Sequence, residues 1–214
     1  MIYLSKINLN YRSRKVQREL GNLYELHRTI MRAFPSDKNR TECGVLFRVE
    51  EKQKQNLVSN YVLVQSKINP DWSFLDLDEN FLTNAGVQMK EFSPVFRKGD
   101  VFRFMIRVNP TRRKNDTRQL IPIKKDDDLM DWFISKGQLL GFRVDTQSLL
   151  ITKHPSIYIY KKDGENTYKI TLTFIDFSGY LSIDDEGIFQ HTFENGIGRG
   201  RSFGGGLLSL AKYQ

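Results

Sequence analysis

The most informative stretch of the sequence is Asn22-Leu-Tyr-Glu-Leu-His-Arg-Thr-Ile-Met-Arg-Ala-Phe34. Leu23, Leu26 and Ile30 recur at helical spacing, which predicts an amphipathic helix with one apolar stripe. Asn22 is a favourable N-cap and Glu25 follows three residues later, so the segment starts like a capping box. The helix is predicted to run to about Phe34 and to end at Pro35.

Tyr24 and His27 lie three residues apart in this helix and therefore share one face. The predicted cap places both side chains in the first two turns, where free N–H groups and the helix dipole favour an anion such as phosphate. Arg28 and Arg32 follow closely. A purely structural histidine is the alternative interpretation.

Basic residues are concentrated in one part of the chain. The formal net charge is +8, and residues 97–125 carry ten Lys and Arg against two Asp, so this block holds the whole excess. Such a block is typical of proteins that bind a polyanion. A solvated charged surface is the alternative.

The composition excludes several classes. No apolar run reaches the length of a membrane span, and the N-terminus reads as a strand rather than a secretory signal, so no membrane partner is expected. The single cysteine, Cys43, excludes an internal disulfide framework and favours a cytoplasmic setting. Three scattered histidines have no metal-ligand spacing, so neither a metal nor another cofactor is expected.

The element order predicts an α+β protein built from two tandem ferredoxin-like, RRM-like βαββαβ domains, over residues 1–112 and 118–214. Residues 51–60 are interpreted as a polar linker, and residues 73–98 as irregular with at most a short helix. The alternating segment 100–109 is predicted to be the last strand of the first domain. A strand at 118–123 and a helix that opens at Asp126 begin the second.

A glycine-rich segment, Gly196-Ile-Gly-Arg-Gly-Arg-Ser-Phe-Gly-Gly-Gly206, follows the last predicted helix. Glycines allow close approach of a backbone, and guanidinium groups suit phosphates. A turn-rich connection is the alternative. The residues predicted to bind a polyanion backbone are those of this loop and of the basic block: Gly198, Arg199, Gly200, Arg201, Arg107, Arg112, Arg113 and Lys114.

These features suit cleavage of RNA, whose 2′-hydroxyl can attack the adjacent phosphorus without a metal. The products are a 2′,3′-cyclic phosphate and a 5′-hydroxyl. His27 is predicted to act as general acid–base, since its reference pKa is about 6.5. Tyr24 positions or assists, and Arg32 and Arg28 neutralise the phosphate.

Three segments together resemble the CasE family, the repeat-RNA endoribonuclease of type I-E CRISPR systems. They are Leu23-Tyr-Glu-Leu-His-Arg-Thr29, Arg107-Val-Asn-Pro-Thr-Arg112 and the glycine-rich segment continued to Leu210. The resemblance implies tandem ferredoxin-like folds, cleavage within the CRISPR repeat stem-loop, and retention of the mature crRNA with the other Cascade subunits.

The resemblance also implies roles for single residues. Tyr24 and His27 match the family's active-site pair, and Arg32 takes the place of a basic residue that assists in some members. Lys161 and Lys162, at a predicted hairpin tip, match a basic hairpin that enters the RNA major groove. Arg112 stands where many members have Lys.

Two other hypotheses stay open at this point. One is a non-catalytic RNA-binding subunit of a ribonucleoprotein, in which Tyr24 and His27 merely line the surface. The other is a protein-interaction module whose basic block meets an acidic partner.

Overall fold

The computed structural model describes residues 1–54, 57–78, 80–114, 116, 119–163 and 166–213, with the backbone alone at 52–54, 57–59, 162 and 163. Contacts divide the chain into two compact units. Unit 1 comprises Met1–Pro94, Tyr158–Ile170 and Ser202–Gly204, and unit 2 comprises Val95–Ile157, Thr171–Arg201 and Gly205–Gln214.

Unit 1 begins with the predicted strand and continues through helices that pack on one face of a sheet. Its elements from residues 1–94 are β1 (Ile2–Leu9), α1 (Arg14–Gly21), α2 (Leu23–Met31), α3 (Arg40–Cys43), β2 (Leu46–Lys54), β3 (Leu57–Ser66), α4 (Ser73–Asp76) and β4 (Leu82–Phe92). Within the described ranges, the strands form an antiparallel sheet in the order β2-β3-β1-β4. This is a βαββαβ unit.

The next elements run from β5 to the C-terminus. They are β5 (Val101–Val108), β6 (Thr111–Arg113), β7 (Leu120–Pro122), α5 (Asp126–Leu139), β8 (Phe142–Val144), β9 (Leu150–Lys153), β10 (Ile157–Asp163), β11 (Asn166–Leu172), β12 (Ile175–Ile183), α6 (Glu186–Asn195), a 3-10 turn (Arg201–Phe203) and β13 (Leu208–Lys212).

The second sheet has the order β13-β5-β12-β8 in the described chain, with β9 also on β12. With α5 after β5 and α6 after β12, unit 2 is again βαββαβ, so the predicted tandem ferredoxin-like fold is confirmed. β10 pairs with β11, and β6 pairs with β7.

The assignment of the alternating strand to the first half is wrong. β5 pairs with β12 and β13 and opens the second βαββαβ unit. The position beside β1, which the last strand of the first βαββαβ unit takes, is occupied by β4. The short strand predicted at 118–123 is found as β7 (Leu120–Pro122), although Arg118 lies outside the described residues. Among the described strands it pairs with β6 in a two-stranded sheet and does not join the sheet of the second βαββαβ unit.

The short helix predicted within 73–98 is found as α4 (Ser73–Asp76), but the prediction of irregular structure for the rest is wrong over Leu82–Phe92, which forms β4. Most side chains of β4 are exposed, so this edge strand lacks the buried alternation by which strands are recognised in a sequence. The predicted linker at 51–60 is wrong for a related reason: β2 and β3 extend into it and pair as far as Lys54 and Leu57.

Each unit buries its own core. In unit 1, Leu26 and Ile30 of α2 pack with Ile7, Phe47 and Val62 from three strands. In unit 2, Phe133 of α5 stacks on Phe177 of β12 with ring centroids 4.3 Å apart. Aromatic pairs of this kind hold a helix and a sheet in one fixed arrangement.

None of the helices in the described part of the chain has the length and apolarity that a bilayer span requires.

Candidate active site

Helix α2 starts as its sequence predicts. The Asn22 side chain accepts a hydrogen bond from the Tyr24 backbone N–H, and Leu26 and Ile30 are buried. The reciprocal Glu25 bond of a full capping box is replaced by an ion pair from Glu25 to Arg28 at 3.2 Å. The helix ends at Met31 with Arg32 as its C-cap, three residues before the predicted end at Phe34.

A surface groove of about 1010 Å³ runs along the exposed side of this helix. The predicted catalytic residues lie together in it: Tyr24, His27 and Arg32 are all among its lining residues, and so is Arg28. Met31 and Phe34 supply apolar walls. The groove therefore offers a phenol, an imidazole and two guanidinium groups to one ligand.

The side chain of His27 is held in place by a ring-stacking contact. The imidazole stacks on Phe47 of β2, with ring centroids 6.2 Å apart and planes 13° from parallel. Nδ1 is buried and has no hydrogen-bond partner among the described residues. Nε2 is therefore the nitrogen left for chemistry in the groove.

The environment of His27 keeps it neutral. Burial, and secondarily the positive charge of Arg40 in α3, lowers its pKa from 6.5 to about 4. A neutral imidazole at pH 7 has a free lone pair and can accept a proton. In the absence of ligand, His27 is thus ready to act as a base.

The two arginines of the groove are exposed but oriented. Arg32 lies over the Phe74 ring, 4.4 Å from its centroid. Arg28 is bound to Glu25. Interactions of this strength on a surface are worth only about 1 kcal/mol, so both guanidinium groups can turn to an incoming phosphate.

Two remote segments reach the start of this helix within unit 1. Asn22 Nδ2 donates to the Tyr160 carbonyl of β10 at 3.2 Å. Gly204, from the glycine-rich loop, lies where a Cβ would be 3.6 Å from Phe47 and 3.9 Å from Leu23. Lys161 follows Tyr160 in β10, while the Lys162 side chain and Gly164 of the predicted turn lie outside what the structure describes.

The remaining predicted binding residues lie in unit 2. Arg112 forms an ion pair with Asp128 at 3.3 Å, and Lys114 with Asp116 at 3.3 Å. Arg113 and Arg199 are exposed. Gly198 and Gly200 both adopt positive φ in the loop, and Arg201 Nε donates to the Gly198 carbonyl at 3.0 Å, so Arg201 braces the loop.

Arg107 is engaged inside unit 2. Its Nε and Nη2 lie 2.7 and 2.8 Å from the two oxygens of Asp176, and His154 Nε2 lies 2.9 Å from Oδ2. Burial raises the pKa of Asp176, but the bonds from Arg107 and His154 outweigh it and lower the pKa to about 2. The Arg107 guanidinium is thus bound to the Asp176 carboxylate.

Sequence reasoning missed Arg40 and Phe47. Both act on His27 from distant chain positions, and no local pattern points to them.

Cys43 is buried and unpaired. Within the described ranges, no three His, Cys, Asp or Glu side chains come together as a metal site would require. The three aspartates from Asp126 to Asp128 form the first turn of α5, as predicted.

Comparison with known proteins yields similarities over the full length. A family model described as CRISPR associated protein matches residues 2–212. A Thermus thermophilus protein, CRISPR-associated endoribonuclease Cse3, is 31% identical over 220 residues, with 98% of this chain and 100% of that protein covered.

Solved structures also resemble this chain over nearly its full length. The structure of CRISPR endoribonuclease Cse3 bound to a 19 nt RNA has 31% identity and a TM-score of 0.84, covering 98% of this chain and 99% of that chain. A chain of a CRISPR RNA-guided surveillance complex has 25% identity and a TM-score of 0.66, covering 99% and 100%. Both units, and not the groove helix alone, take part in these similarities.

Proposed function

The chain belongs to the family of CRISPR-associated proteins, and from this premise we propose that it is an endoribonuclease that cleaves CRISPR repeat hairpin RNA without a metal ion. The observation that carries the proposal is the groove on α2, where a neutral His27 lies with Tyr24, Arg28 and Arg32. The similarity to an endoribonuclease over the whole length supports the same reading.

The reaction uses a nucleophile that RNA itself carries. The 2′-oxygen forms a bond to the adjacent phosphorus while the bond from phosphorus to the 5′-oxygen breaks. His27 Nε2 takes the proton of the 2′-hydroxyl, since its low pKa leaves the lone pair free. The products are a 2′,3′-cyclic phosphate and a 5′-hydroxyl.

The leaving 5′-oxygen must receive a proton. Two donors lie in the groove for it: the imidazolium formed in the first step and the Tyr24 hydroxyl. Arg28 and Arg32 stabilise the negative charge that builds on the phosphate oxygens. Electrostatic stabilisation of this kind is often the largest contribution to the rate.

The low pKa of His27 sets the expected pH dependence. A base works when it is deprotonated, so kcat/KM rises as the pH rises through about 4 and is level above it. A general acid with the same pKa in the free enzyme would give the opposite limb, with kcat/KM falling above pH 4. The profile therefore separates the two roles.

The proposal extends to partners and location. The mature crRNA stays bound and the protein joins other subunits of a type I-E Cascade complex, as supported by its likeness to a chain of a surveillance complex. The exposed Arg113 and Arg199, together with Arg112, Lys114 and Lys161, contact the RNA backbone. A cytoplasmic location is part of the proposal and suits the unpaired Cys43.

The test is cleavage of the cognate repeat hairpin in excess EDTA, with the ends of the products identified. We expect cleavage with 2′,3′-cyclic phosphate and 5′-hydroxyl ends, and none when the nucleotide before the cleaved bond is 2′-deoxy. His27→Ala should lower the single-turnover rate by about 10²- to 10⁴-fold. His191→Ala, a change at an exposed histidine of α6, serves as the matched control and should leave the rate unchanged.

Inhibition by EDTA or 3′-hydroxyl ends would contradict the mechanism. Equal cleavage by wild type and His27→Ala would show that His27 is not the catalytic base. RNA binding without cleavage by either protein would instead indicate an RNA-binding subunit without catalytic function.

A further inference from the structure

Strand β10 exposes two tyrosines on one face. Tyr158 and Tyr160 each have 49% of their surface exposed, whereas Ile159 between them is 1% exposed. Neighbouring side chains of a strand point to opposite faces, so the two phenol rings stand side by side and Ile159 points to the core. Large aromatic side chains are usually more buried than this.

The same face continues onto β11. Lys169 Nζ lies 4.1 Å from the centroid of the Tyr158 ring, so Lys169 shares the face of the two tyrosines. Tyr168, its neighbour in the strand, then points to the opposite face although it is 53% exposed. We call Tyr158, Tyr160 and Lys169 the tyrosine face.

The tyrosine face is tied to the active-site helix. The Tyr160 carbonyl accepts the hydrogen bond from Asn22 Nδ2, and the same Asn22 side chain caps α2 two residues before Tyr24. Both contacts lie within unit 1. One side chain therefore fixes the backbone of the tyrosine face at the end of the groove where the phenol and the imidazole lie.

Cleavage by a 2′-hydroxyl requires a specific geometry of the reacting nucleotide, and the tyrosine face can help to hold that geometry. The attacking oxygen must lie in line with the leaving oxygen, and reactive alignment of this kind has to be imposed by the protein. A nucleotide that leaves the regular helix to reach this geometry loses the stacking of its base. Aromatic side chains compensate that loss when they stack on the displaced base.

We propose that the tyrosine face stacks on an unpaired nucleobase of the substrate RNA next to the cleaved phosphodiester bond, and so positions the reacting nucleotide; this inference rests on the proposed function. The rings of Tyr158 and Tyr160 supply flat apolar surfaces that accept any base. Lys169 supplies positive charge for the phosphate beside it. Tyr158, Tyr160 and Lys169 are positioning residues, and His27 remains the proton-transferring group.

The experiment uses hairpin RNA with 2-aminopurine placed in turn at each unpaired position beside the cleaved bond, and a 2′-deoxy nucleotide that blocks cleavage. Stacking on tyrosine quenches 2-aminopurine. Wild type should quench one or more of these probes. The double variant Tyr158→Thr/Tyr160→Thr, which keeps strand propensity, should lose the quenching, bind about tenfold more weakly and cleave unblocked RNA more slowly.

Two further variants make the result specific. Tyr158→Phe/Tyr160→Phe keeps the rings without the hydroxyl groups and should retain binding and cleavage within about twofold. Tyr168→Thr changes an equally exposed tyrosine on the opposite face and should behave as wild type. Circular dichroism and thermal melting of every variant establish that the fold is intact, and the Phe pair tests the rings if the Thr pair does not fold.

The inference is overturned if the Thr pair quenches, binds and cleaves as Tyr168→Thr does, or if the Phe pair fails as the Thr pair does. Failure of the proposed function is a separate outcome: wild type would then bind the hairpin but leave unblocked RNA uncut, whatever the fluorescence of the blocked RNA.

Discussion

At the scale of single residues, the protonation state of His27 depends on its surroundings more than on its position in α2. The ring lies against Phe47 and is largely removed from water, which disfavours the charged form. Arg40 adds a like-charge effect on the imidazolium. The protein thereby stabilises the base form of a side chain that would otherwise be partly protonated near neutral pH.

Removal of the Arg40 charge should raise the pKa of His27. In Arg40→Met we expect a pKa above about 4 but still below 6.5, because burial is the larger cause and persists. The rising limb of kcat/KM should move to higher pH by the same amount. Titration of the His27 ring by NMR measures the pKa directly.

Arg40→Lys is the matched control, since it keeps the positive charge and should leave the pKa of His27 near that of wild type. An unchanged pKa in Arg40→Met would show that Arg40 has no electrostatic effect on the imidazole.

At the scale of elements, the two ends of the glycine-rich loop, which lie in unit 2, have a structural role as well as a predicted binding role. The Ile197 N–H donates to the Gly206 carbonyl and the Gly206 N–H donates to the Arg107 carbonyl, so the loop is bonded to itself and to β5. Gly206 has φ 89°, and a Cβ there would lie 2.9 Å from the Ile197 carbonyl oxygen. Only glycine fits this position without displacement of backbone.

Gly206→Ala should therefore destabilise the protein more than Gly99→Ala does. Gly99 has nearly the same φ, 88°, but a Cβ there meets nothing within 4 Å. Both variants incur the positive-φ cost of roughly 1–2 kcal/mol, and Gly206→Ala incurs about 1–3 kcal/mol more from the close contact. Denaturant unfolding measures both free energies, and equal losses would refute the steric argument.

At the scale of the whole molecule, two βαββαβ units share one chain, and the formal charge excess of +8 equals that of residues 97–125. In the part of the chain that the structure describes, three of the ten basic residues in this block form ion pairs with aspartates. Arg107 is bound by Asp176, Arg112 by Asp128 and Lys114 by Asp116. Its electrostatic attraction for RNA is accordingly smaller than the count of basic residues suggests.

The dependence of the RNA-binding constant K on salt concentration measures how many residues of the basic block at 97–125 contact RNA phosphates. Each phosphate contact contributes about 0.9 to the slope of log K against log salt. Arg112→Gln/Arg113→Gln/Lys114→Gln should lower that slope by less than about 2.7, the value for three full contacts, because two of these residues already have acidic partners.

The same number of changes outside the block, Lys38→Gln/Lys90→Gln/Lys212→Gln, is the control and should leave the slope nearly as it is in wild type. Equal slopes for both triple variants would place the RNA contacts elsewhere on the molecule.

The sequence by itself determined what depends on neighbours along the chain. The cap and apolar stripe of α2 bring Tyr24 and His27 onto one face, alternation identifies β5, and glycines mark the loop, since helix spacing, strand pleat and φ preference are local properties. Family resemblance rests on the same local motifs.

Only the tertiary structure decided which sheet takes β5, that the exposed segment Leu82–Phe92 is a strand, that Arg107 is bound by Asp176, and that His27 is neutral. Strand pairing, ion pairs and burial join residues far apart in the chain. Their free energies depend on distances in space, which no local pattern of residues contains.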